Sequence, residues 1–158
     1  MSQEIVNILE EKAVLLNLEV ESSDEVIREL AEPLYQAGYV LESFADAAIE
    51  REKALPTGLP LMGNINAAIP HTDIVHVKKP GLGLATLKKP VTFNNMVSPD
   101  ETVEVQFVVL MALDEAKAQV EMLQAIAGLL QNPDIIEAVF MAESPSKVKE
   151  ILAESNEE

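Results

Sequence analysis

The sequence predicts an α/β fold: a single domain over residues 1–158, built in three layers, with a mixed β-sheet between helices on both faces. Three observations predict this fold. Amphipathic helical patterns occupy the beginning and the end of the chain, strand patterns lie between them, and residues 103–113 are too apolar for a half-exposed edge strand. Helices, then strands, then helices around a buried central strand are typical of a three-layer domain.

The first helix is predicted within residues 22–40, SSDEVIRELAEPLYQAGYV, which open on a serine/aspartate cap. Gly38 is expected to end this helix, because glycine is a common helix terminator. Pro33 lacks a backbone N–H, so we expect it to kink or shorten the helix. The apolar residues recur at helical spacing: Val26, Ile27, Leu30, Ala31 and Leu34.

A second helix is predicted within residues 43–58, SFADAAIEREKALPTG. Ser43 is expected to cap its first turn, with Asp46 three residues later as in a capping box. Pro56 and Gly58 are expected to end the helix, since neither residue suits a helix interior. No strand is predicted before these two helices.

Three segments in the middle of the chain carry strand patterns. Residues 67–70, AAIP, form a strand-like segment that ends at Pro70. Residues 81–87, GLGLATL, show the alternation of a strand. Residues 103–113, VEVQFVVLMAL, are a β-branched apolar run, and they predict the central strand of the sheet, covered on both faces.

Three helices are predicted to close the chain. Residues 132–141, NPDIIEAVFM, and 144–154, SPSKVKEILAE, each open with a cap residue and a proline at the first helical position. Before them, residues 116–131, AKAQVEMLQAIAGLLQ, form a long helical pattern. The face of that helix expected to be buried consists of Val120, Leu123, Ile126, Ala127 and Leu130.

The composition excludes several classes of protein. A net charge of −16 argues against nucleic acid as a partner, since phosphates require neutralising lysine and arginine. The absence of cysteine removes disulfides, thiol catalysis and cysteine-ligated zinc. No apolar run reaches the ~18 residues of a membrane span, and the N-terminus lacks the pattern of a signal peptide. We therefore expect a cytoplasmic protein, not inserted in a membrane, whose acidic runs form a solvated surface or face a basic partner protein.

Both histidines of the chain, His71 and His76, lie within residues 67–81, AAIPHTDIVHVKKPG. A spacing of five places two side chains about 140° apart on a helix and on opposite faces of a strand. The pair therefore converges on a metal ion only if the backbone turns between them, with Asp73 and Asp100 as the available acids. Because no recognised ligand pattern is present, we expect no metal site.

His71 is better placed for chemistry than His76. It follows Pro70, where a strand meets a loop. His76, beside VKK, is equally well explained as a surface residue without a chemical role. Neutral imidazole attacks phosphorus directly and then passes the phosphoryl group onward. That chemistry needs an orienting partner for the second ring nitrogen and donors for the phosphoryl oxygens. The chain carries no nucleotide-binding glycine motif and no G-x-S-x-G motif, so we predict no cofactor.

Three segments together carry a family resemblance: AIEREKALPTG (48–58), NAAIPHTDIVHVKKPG (66–81) and QVEMLQAIAGLLQNPDIIEAV (119–139). They resemble the enzyme IIA domain of the fructose/mannitol class in the bacterial phosphoenolpyruvate-dependent sugar phosphotransferase system. The similarity follows the same order over nearly the whole chain. Its R-E-x-x-x-P-T and A-I-P-H elements are specific in combination, whereas a proline followed by a histidine would mean little alone.

The resemblance implies a phosphocarrier with a mixed α/β fold. The histidine of A-I-P-H, here His71, accepts a phosphoryl group from the histidine-containing phosphocarrier protein and hands it to a cognate enzyme IIB. The sugar is then phosphorylated during uptake through a membrane enzyme IIC. The arginine of the R-E element, here Arg51, is expected to bind phosphoryl oxygens, because a guanidinium offers planar bidentate donors.

The chain departs from the wider family at one position. Many members carry a second histidine at the start of the long C-terminal helix, where this chain has Gln119. Glutamine donates hydrogen bonds to phosphate but does not titrate near neutrality. His76 is the alternative substitute, since P-H-x-x-x-x-H-x-K resembles the galactitol-specific branch of the family. We expect both Gln119 and His76 to assist transfer.

Two further functions stay open at the level of sequence. A regulatory relative, such as the nitrogen-related enzyme IIA, uses the same histidine for signalling. A non-catalytic binding module would make both histidines incidental. Phosphorylation by the carrier protein separates the binding module from the other two functions, and genes for enzymes IIB and IIC nearby separate transport from signalling.

Overall fold

The computed structural model describes residues 2–155, and within them the chain forms one five-stranded mixed sheet and six α-helices. In chain order these are α1 Ser2–Ile8, β1 Leu9–Leu18, α2 Ser23–Gln36, α3 Phe44–Ala54, β2 Gly58–Leu59, β3 Ala67–Ala68, a 3₁₀ helix Ile74–His76, β4 Gly81–Asn94, β5 Thr102–Ala112, α4 Ala116–Leu130, α5 Pro133–Phe140 and α6 Pro145–Ser155. The sheet order is β1-β4-β5-β3-β2, which places β5 at the centre as predicted.

Each face of the sheet carries its own hydrophobic core. Phe107, Val109 and Met111 of β5 pack in one cluster with α1, α4, α5 and α6. Val108 and Leu110, their neighbours along the strand, pack in the other cluster with α2 and α3. Because successive residues of a strand point to opposite faces, β5 is buried on both sides. The prediction of three layers with a doubly covered central strand is confirmed.

An edge strand near the N-terminus was not predicted. β1 precedes the first predicted helix and pairs parallel with β4. Its apolar alternation is interrupted by Glu10, Glu11 and Lys12, which lie at or near the surface. Charged residues are common on edge strands, where they discourage pairing with other chains. The expected order of helices, then strands, then helices was therefore wrong at its start.

Pro33 does not shorten α2. The helix continues to Gln36, and Gly38 with a φ of 86° then ends it, as predicted. Pro33 lacks the N–H that would bond the carbonyl of Glu29, but Glu29 lies on the exposed side of the helix. The loss of one hydrogen bond at the surface is offset by Leu34, which is fully buried beyond the proline.

Strand β4 is longer than the predicted segment 81–87. Its pairing with β5 shifts register between Thr86 and Val91 and then resumes as far as Asn94. The lysines in the shifted stretch are exposed, and Lys88 and Lys89 bond Glu19 and Glu21 at 2.9 Å. A bulge of this kind interrupts the alternation, which is why the sequence pattern ends early.

The closing helices begin where the cap residues predict, but the buried face of α4 differs. Asn132 caps α5 by accepting a hydrogen bond from the N–H of Ile135. Val120, expected in the core, is 56% exposed, and the buried residues are Met122, Ala125, Ile126, Leu129 and Leu130. Within residues 2–155 no helix is both long and apolar enough to cross a bilayer.

Candidate active site

His71 lies beyond the carboxyl end of β3, as predicted, although the strand ends at Ala68 and Ile69 and Pro70 stand between. β3 runs parallel to β5, and the carbonyl of Pro70 accepts a hydrogen bond from the N–H of Met111 on β5 at 3.0 Å. The backbone that carries His71 is therefore anchored to the central strand. A side chain at the end of a buried strand is held rigidly while it remains accessible from outside the sheet.

The ring of His71 is oriented by its own backbone. Its Nδ1 lies 2.9 Å from the carbonyl oxygen of Ile69. A carbonyl oxygen only accepts hydrogen bonds, so Nδ1 carries the proton and Nε2 is the unprotonated nitrogen of the neutral ring. This contact is the orienting partner that phosphoryl transfer through histidine requires.

His71 is biased toward the neutral form. Burial lowers the pKa of His71 below its ordinary value of 6.5, because the imidazolium ion loses hydration in this half-buried position. The hydrogen bond to Ile69 opposes the shift, and the positive charge of Arg51 lowers the pKa of His71 further. A neutral imidazole with a lone pair on Nε2 is the nucleophilic form.

His71 and Arg51 line one cleft of about 260 Å³. Two larger clefts elsewhere, of about 470 and 300 Å³, are lined by no histidine. Apolar side chains form much of the wall around His71: Leu55, Pro56, Met96, Pro99 and Leu123. Such walls exclude water from a reacting phosphoryl group and strengthen its interaction with a nearby cation.

Arg51 reaches the cleft from the last turn of α3. Its side chain is 33% exposed, and Nη1 lies 3.4 Å from a carboxylate oxygen of Asp73, which is 75% exposed. The Nε atom of Arg51 is buried and has no hydrogen-bond partner. The fold therefore leaves part of the donor capacity of this guanidinium unused, and its ion pair with Asp73 is long and exposed to solvent on the Asp73 side.

The hairpin between β4 and β5 closes one side of the cleft, and Gly58 allows it to approach. A Cβ atom at Gly58 would come within 2.6 Å of the carbonyl oxygen of Asn94. The carbonyl of Gly58 accepts a hydrogen bond from the N–H of Met96 at 2.9 Å. Gly58 was expected to end a helix, but α3 already ends at Ala54, and Gly58 instead begins β2 and seats the hairpin that carries Met96 and Pro99 over the cleft.

Glu52 and Thr57 belong to the site, although the sequence reasoning assigned them no role. Both oxygens of the buried Glu52 carboxylate accept hydrogen bonds from Thr57 at 2.8 Å, one from its N–H and one from its hydroxyl. Burial raises the pKa of Glu52 from 4.5 to about 7, and these two bonds oppose the rise. The R-E-x-x-x-P-T spacing was the available signal, because it contains both residues.

Gln119 contacts the segment that follows His71. From the first turns of α4, its Nε2 donates a hydrogen bond to the carbonyl oxygen of Thr72 at 2.8 Å. Thr72 is buried, so this bond ties α4 to the residue next to His71. The structure thus brings Gln119 close to the site through the backbone of Thr72.

His76 is held by a different part of the chain. The backbone does turn between the two histidines, in the 3₁₀ helix Ile74–His76, but Nδ1 of His76 lies 2.8 Å from the hydroxyl oxygen of Ser43. Ser43 occupies the N-cap position of α3 as expected, but its side chain makes no capping hydrogen bond, so the expected capping box with Asp46 does not form. The Ser43 hydroxyl contacts His76 instead, and Asp46 bonds Arg28 at 2.8 Å.

Over residues 2–155, no three His, Asp or Glu side chains are grouped so as to hold a metal ion. The cleft at His71 instead offers one imidazole, one guanidinium and apolar walls. Chemically, that set suits a covalent phosphoryl intermediate on nitrogen.

Comparison with known families decides the class of this site. A family model described as "Phosphoenolpyruvate-dependent sugar phosphotransferase system, EIIA 2" matches residues 7–155. The chain belongs to this family. Enzyme IIA components of this type transfer phosphoryl groups through a phosphohistidine, so this chain is a phosphocarrier of the fructose/mannitol class.

Relatives of this enzyme IIA agree with the family in sequence and in fold. The galactitol-specific EIIA component of Escherichia coli (strain K12) is 30% identical over 116 residues, which are 73% of this chain and 76% of the relative. A putative PTS IIA (PtxA) from Streptococcus mutans superposes with a TM-score of 0.76 at 23% identity, covering 99% of this chain and 93% of that one.

A second solved structure contains a partner. The complex of enzyme IIAMTL and phosphorylated enzyme IIBMTL from Escherichia coli superposes with a TM-score of 0.73 at 22% identity. The match covers 93% of this chain and 99% of that one. Together the two structures confirm the predicted fold class of this enzyme IIA.

Proposed function

We propose that this enzyme IIA accepts a phosphoryl group on His71 from the histidine-containing phosphocarrier protein and passes it to a cognate enzyme IIB. Enzyme IIB then serves the uptake and phosphorylation of a sugar alcohol, galactitol, through a membrane enzyme IIC. The observation that carries the proposal is the bond from Nδ1 of His71 to the Ile69 carbonyl at 2.9 Å. It assigns the lone pair to Nε2 in a ring that shares its cleft with Arg51.

The transfer follows from this geometry. The lone pair of Nε2 attacks the phosphorus of the donor phosphohistidine, a new N–P bond forms, and the donor imidazole leaves with the electrons of the N–P bond that breaks. The ring of His71 then carries positive charge, which the carbonyl of Ile69 stabilises through Nδ1–H. Arg51 donates to the phosphoryl oxygens as Asp73 releases it. Attack by enzyme IIB on the same phosphorus restores neutral His71.

The choice of partner and sugar rests on relatives. A protein 30% identical to this chain over 73% of its length is galactitol-specific. The spacing P-H-x-x-x-x-H-x-K, from Pro70 to Lys78, resembles the same branch. An enzyme IIA of the same fold has been captured with phosphorylated enzyme IIB. These observations favour a galactitol enzyme IIB as the acceptor.

Two measurements on the purified chain test the proposal. Incubation with phosphoenolpyruvate, enzyme I and the carrier protein should produce an acid-labile phosphohistidine, which mass spectrometry of peptides should place on His71. Phosphate on His76 alone would overturn the assignment.

The second measurement compares acceptors. The phosphorylated chain should transfer faster to a galactitol-specific enzyme IIB than to mannitol- or fructose-specific ones. Faster transfer to another enzyme IIB would replace galactitol as the sugar. Phosphorylation on His71 without transfer to any of them would favour the regulatory role.

A further inference from the structure

Glu52 is a buried carboxylate that the transfer step itself does not use. It lies on α3 next to Arg51, and it is only 9% exposed. Its oxygens both bond Thr57, which is also buried. Burying a carboxylate costs several kcal/mol unless hydrogen bonds compensate, so such a group bonded to Thr57, which lines the cleft, calls for a reason.

A chain of hydrogen bonds leads from Glu52 to the ring of His71. The Thr57 hydroxyl donates to Glu52 at 2.8 Å and accepts from the N–H of Ile69 at 3.1 Å. The carbonyl of the same Ile69 accepts from Nδ1 of His71 at 2.9 Å. Ile69 is fully buried, so its backbone groups depend on these partners.

The directions of these bonds follow from the groups themselves. A backbone N–H only donates, so the oxygen of Thr57 is the acceptor for Ile69. The N–H of Thr57 likewise donates to Glu52 whether or not the carboxyl carries a proton. Both anchoring contacts therefore hold Thr57 and Ile69 in place in either protonation state of Glu52.

We propose that Glu52 is a positioning residue for His71, acting through the Thr57 hydroxyl and the backbone of Ile69. By holding Ile69 in place, it aims the carbonyl that fixes the Nδ1–H tautomer of His71 and the orientation of Nε2. The inference rests on the proposed role of His71 in transfer. Its spectroscopic test, however, needs no phosphoryl transfer.

Two pairs of variants separate hydrogen bonding from packing. Thr57→Val removes the hydroxyl at nearly constant volume, and Thr57→Ser keeps it. Glu52→Met removes both acceptors at similar length, and Glu52→Gln keeps an acceptor for the N–H of Thr57. The matched control is Glu50→Gln, because Glu50 lies on the same helix, is exposed and pairs with Lys53 at 3.7 Å.

The first readout is the ¹⁵N spectrum of the His71 ring in the unphosphorylated protein. The wild type and the conservative variants should show the Nδ1–H tautomer, and Thr57→Val and Glu52→Met should show a mixture of tautomers. The second readout is the rate of phosphorylation by the carrier protein. The two removal variants should lower kcat about tenfold with little change in KM, since small errors in orientation cost mainly rate.

Several outcomes would overturn the proposal. One is that Thr57→Val and Glu52→Met fold, keep the wild-type kcat of phosphorylation and show only the Nδ1–H tautomer of His71. Another is an equal loss in Thr57→Ser and Glu52→Gln, which would indicate packing. If Thr57→Val and Glu52→Met do not fold, the wild-type protein alone still tests the proposal. A ¹⁵N spectrum in which its His71 ring lacks the Nδ1–H tautomer would overturn it. Failure of the wild type to accept phosphate, with these tautomers as expected, would contradict the proposed function and not this inference.

Discussion

The two histidines of this enzyme IIA lie five residues apart, yet the fold gives them different surroundings. His71 follows the end of β3, half-buried, with Nδ1 bonded to the carbonyl of Ile69. His76 ends a 3₁₀ helix, and its Nδ1 contacts the hydroxyl of Ser43 from the neighbouring loop. The side chains are chemically identical, so the difference lies in their partners.

These partners show how a fold selects one histidine as the nucleophile. A carbonyl only accepts, so it fixes the proton of His71 on Nδ1 and the lone pair on Nε2. A hydroxyl both donates and accepts, so Ser43 leaves either tautomer available to His76. His71 also shares its cleft with Arg51. Its position, its tautomer and the nearby guanidinium together favour His71 over His76 as the nucleophile.

Replacing each histidine in turn should give the largest difference in phosphorylation. His71→Gln should abolish phosphorylation by the carrier protein, because it removes the imidazole whose Nε2 lone pair shares the cleft with Arg51. His76→Gln should still be phosphorylated, with transfer slowed only a few-fold. Autoradiography after short incubation measures both, and circular dichroism verifies that both variants fold. Equal losses in the two variants would remove the distinction drawn between the histidines.

Replacement of Arg51 tests the guanidinium that only His71 has nearby. Arg51→Lys keeps the charge but loses the planar donors, so transfer should slow by roughly 10- to 100-fold. The matched control is Arg28→Lys, because Arg28 forms an exposed ion pair with Asp46 away from the cleft. Rapid-quench measurement of phosphorylation gives both rates. A wild-type rate in Arg51→Lys would show that the planar donors of Arg51 are not needed for transfer.

The buried Glu52 should make the free energy of unfolding depend on pH. The pKa of Glu52 is raised to about 7 in the folded protein, above its ordinary 4.5, so the folded state holds the proton more tightly. Its stabilising contribution is complete below pH 4.5 and is lost as the pH rises through 7. At about 1.4 kcal/mol per pKa unit, the change is on the order of 3 kcal/mol.

Urea unfolding of wild type and Glu52→Gln at pH 5 and pH 8 measures this contribution. The difference between the two proteins should change with pH, because glutamine does not titrate. Glu50→Gln, exposed on the same helix, is the matched control. A flat difference for Glu52→Gln would mean that the pKa of Glu52 is not raised.

The titration of His71 sharpens the contrast further. Burial and the charge of Arg51 place its pKa below 6.5, so His71 stays neutral as the pH falls to that value. Ring-proton NMR of the unphosphorylated chain should therefore show a midpoint for His71 below 6.5. Arg51→Gln should move this midpoint upward, since a repelling charge is removed. A midpoint at or above 6.5 in the wild type would contradict the account of the site.

The smallest effect is expected at Gln119. Its amide holds the carbonyl of Thr72, one residue after His71, without a contact to the ring itself. Gln119→Ala should slow phosphorylation only a few-fold. Gln124→Ala, exposed on the same helix, is the control. An unaltered rate in Gln119→Ala would leave Gln119 as a structural link, and complete loss would make it a direct phosphate ligand.

Local sequence patterns were enough to predict several of the helices and strands. The run of residues 103–113 predicted a strand covered on both faces because residues 107–113 are all apolar. Cap residues and prolines predicted the starts of α5 and α6. The position of His71 after Pro70 predicted a strand-end histidine, and the family motifs pointed to Arg51.

Tertiary structure decided which groups meet. β1 is a strand because β4 offers a free edge, although charged residues obscure its own alternation. The Ser43 hydroxyl bonds His76 and not its own helix, since a ring nitrogen 33 positions along the chain lies nearer. Glu52 is likewise linked to His71 by hydrogen bonds through Thr57 and Ile69, which the sequence pattern does not reveal. Periodic patterns record how deeply a residue is buried, but a hydrogen-bond partner far along the chain depends on how the layers are stacked.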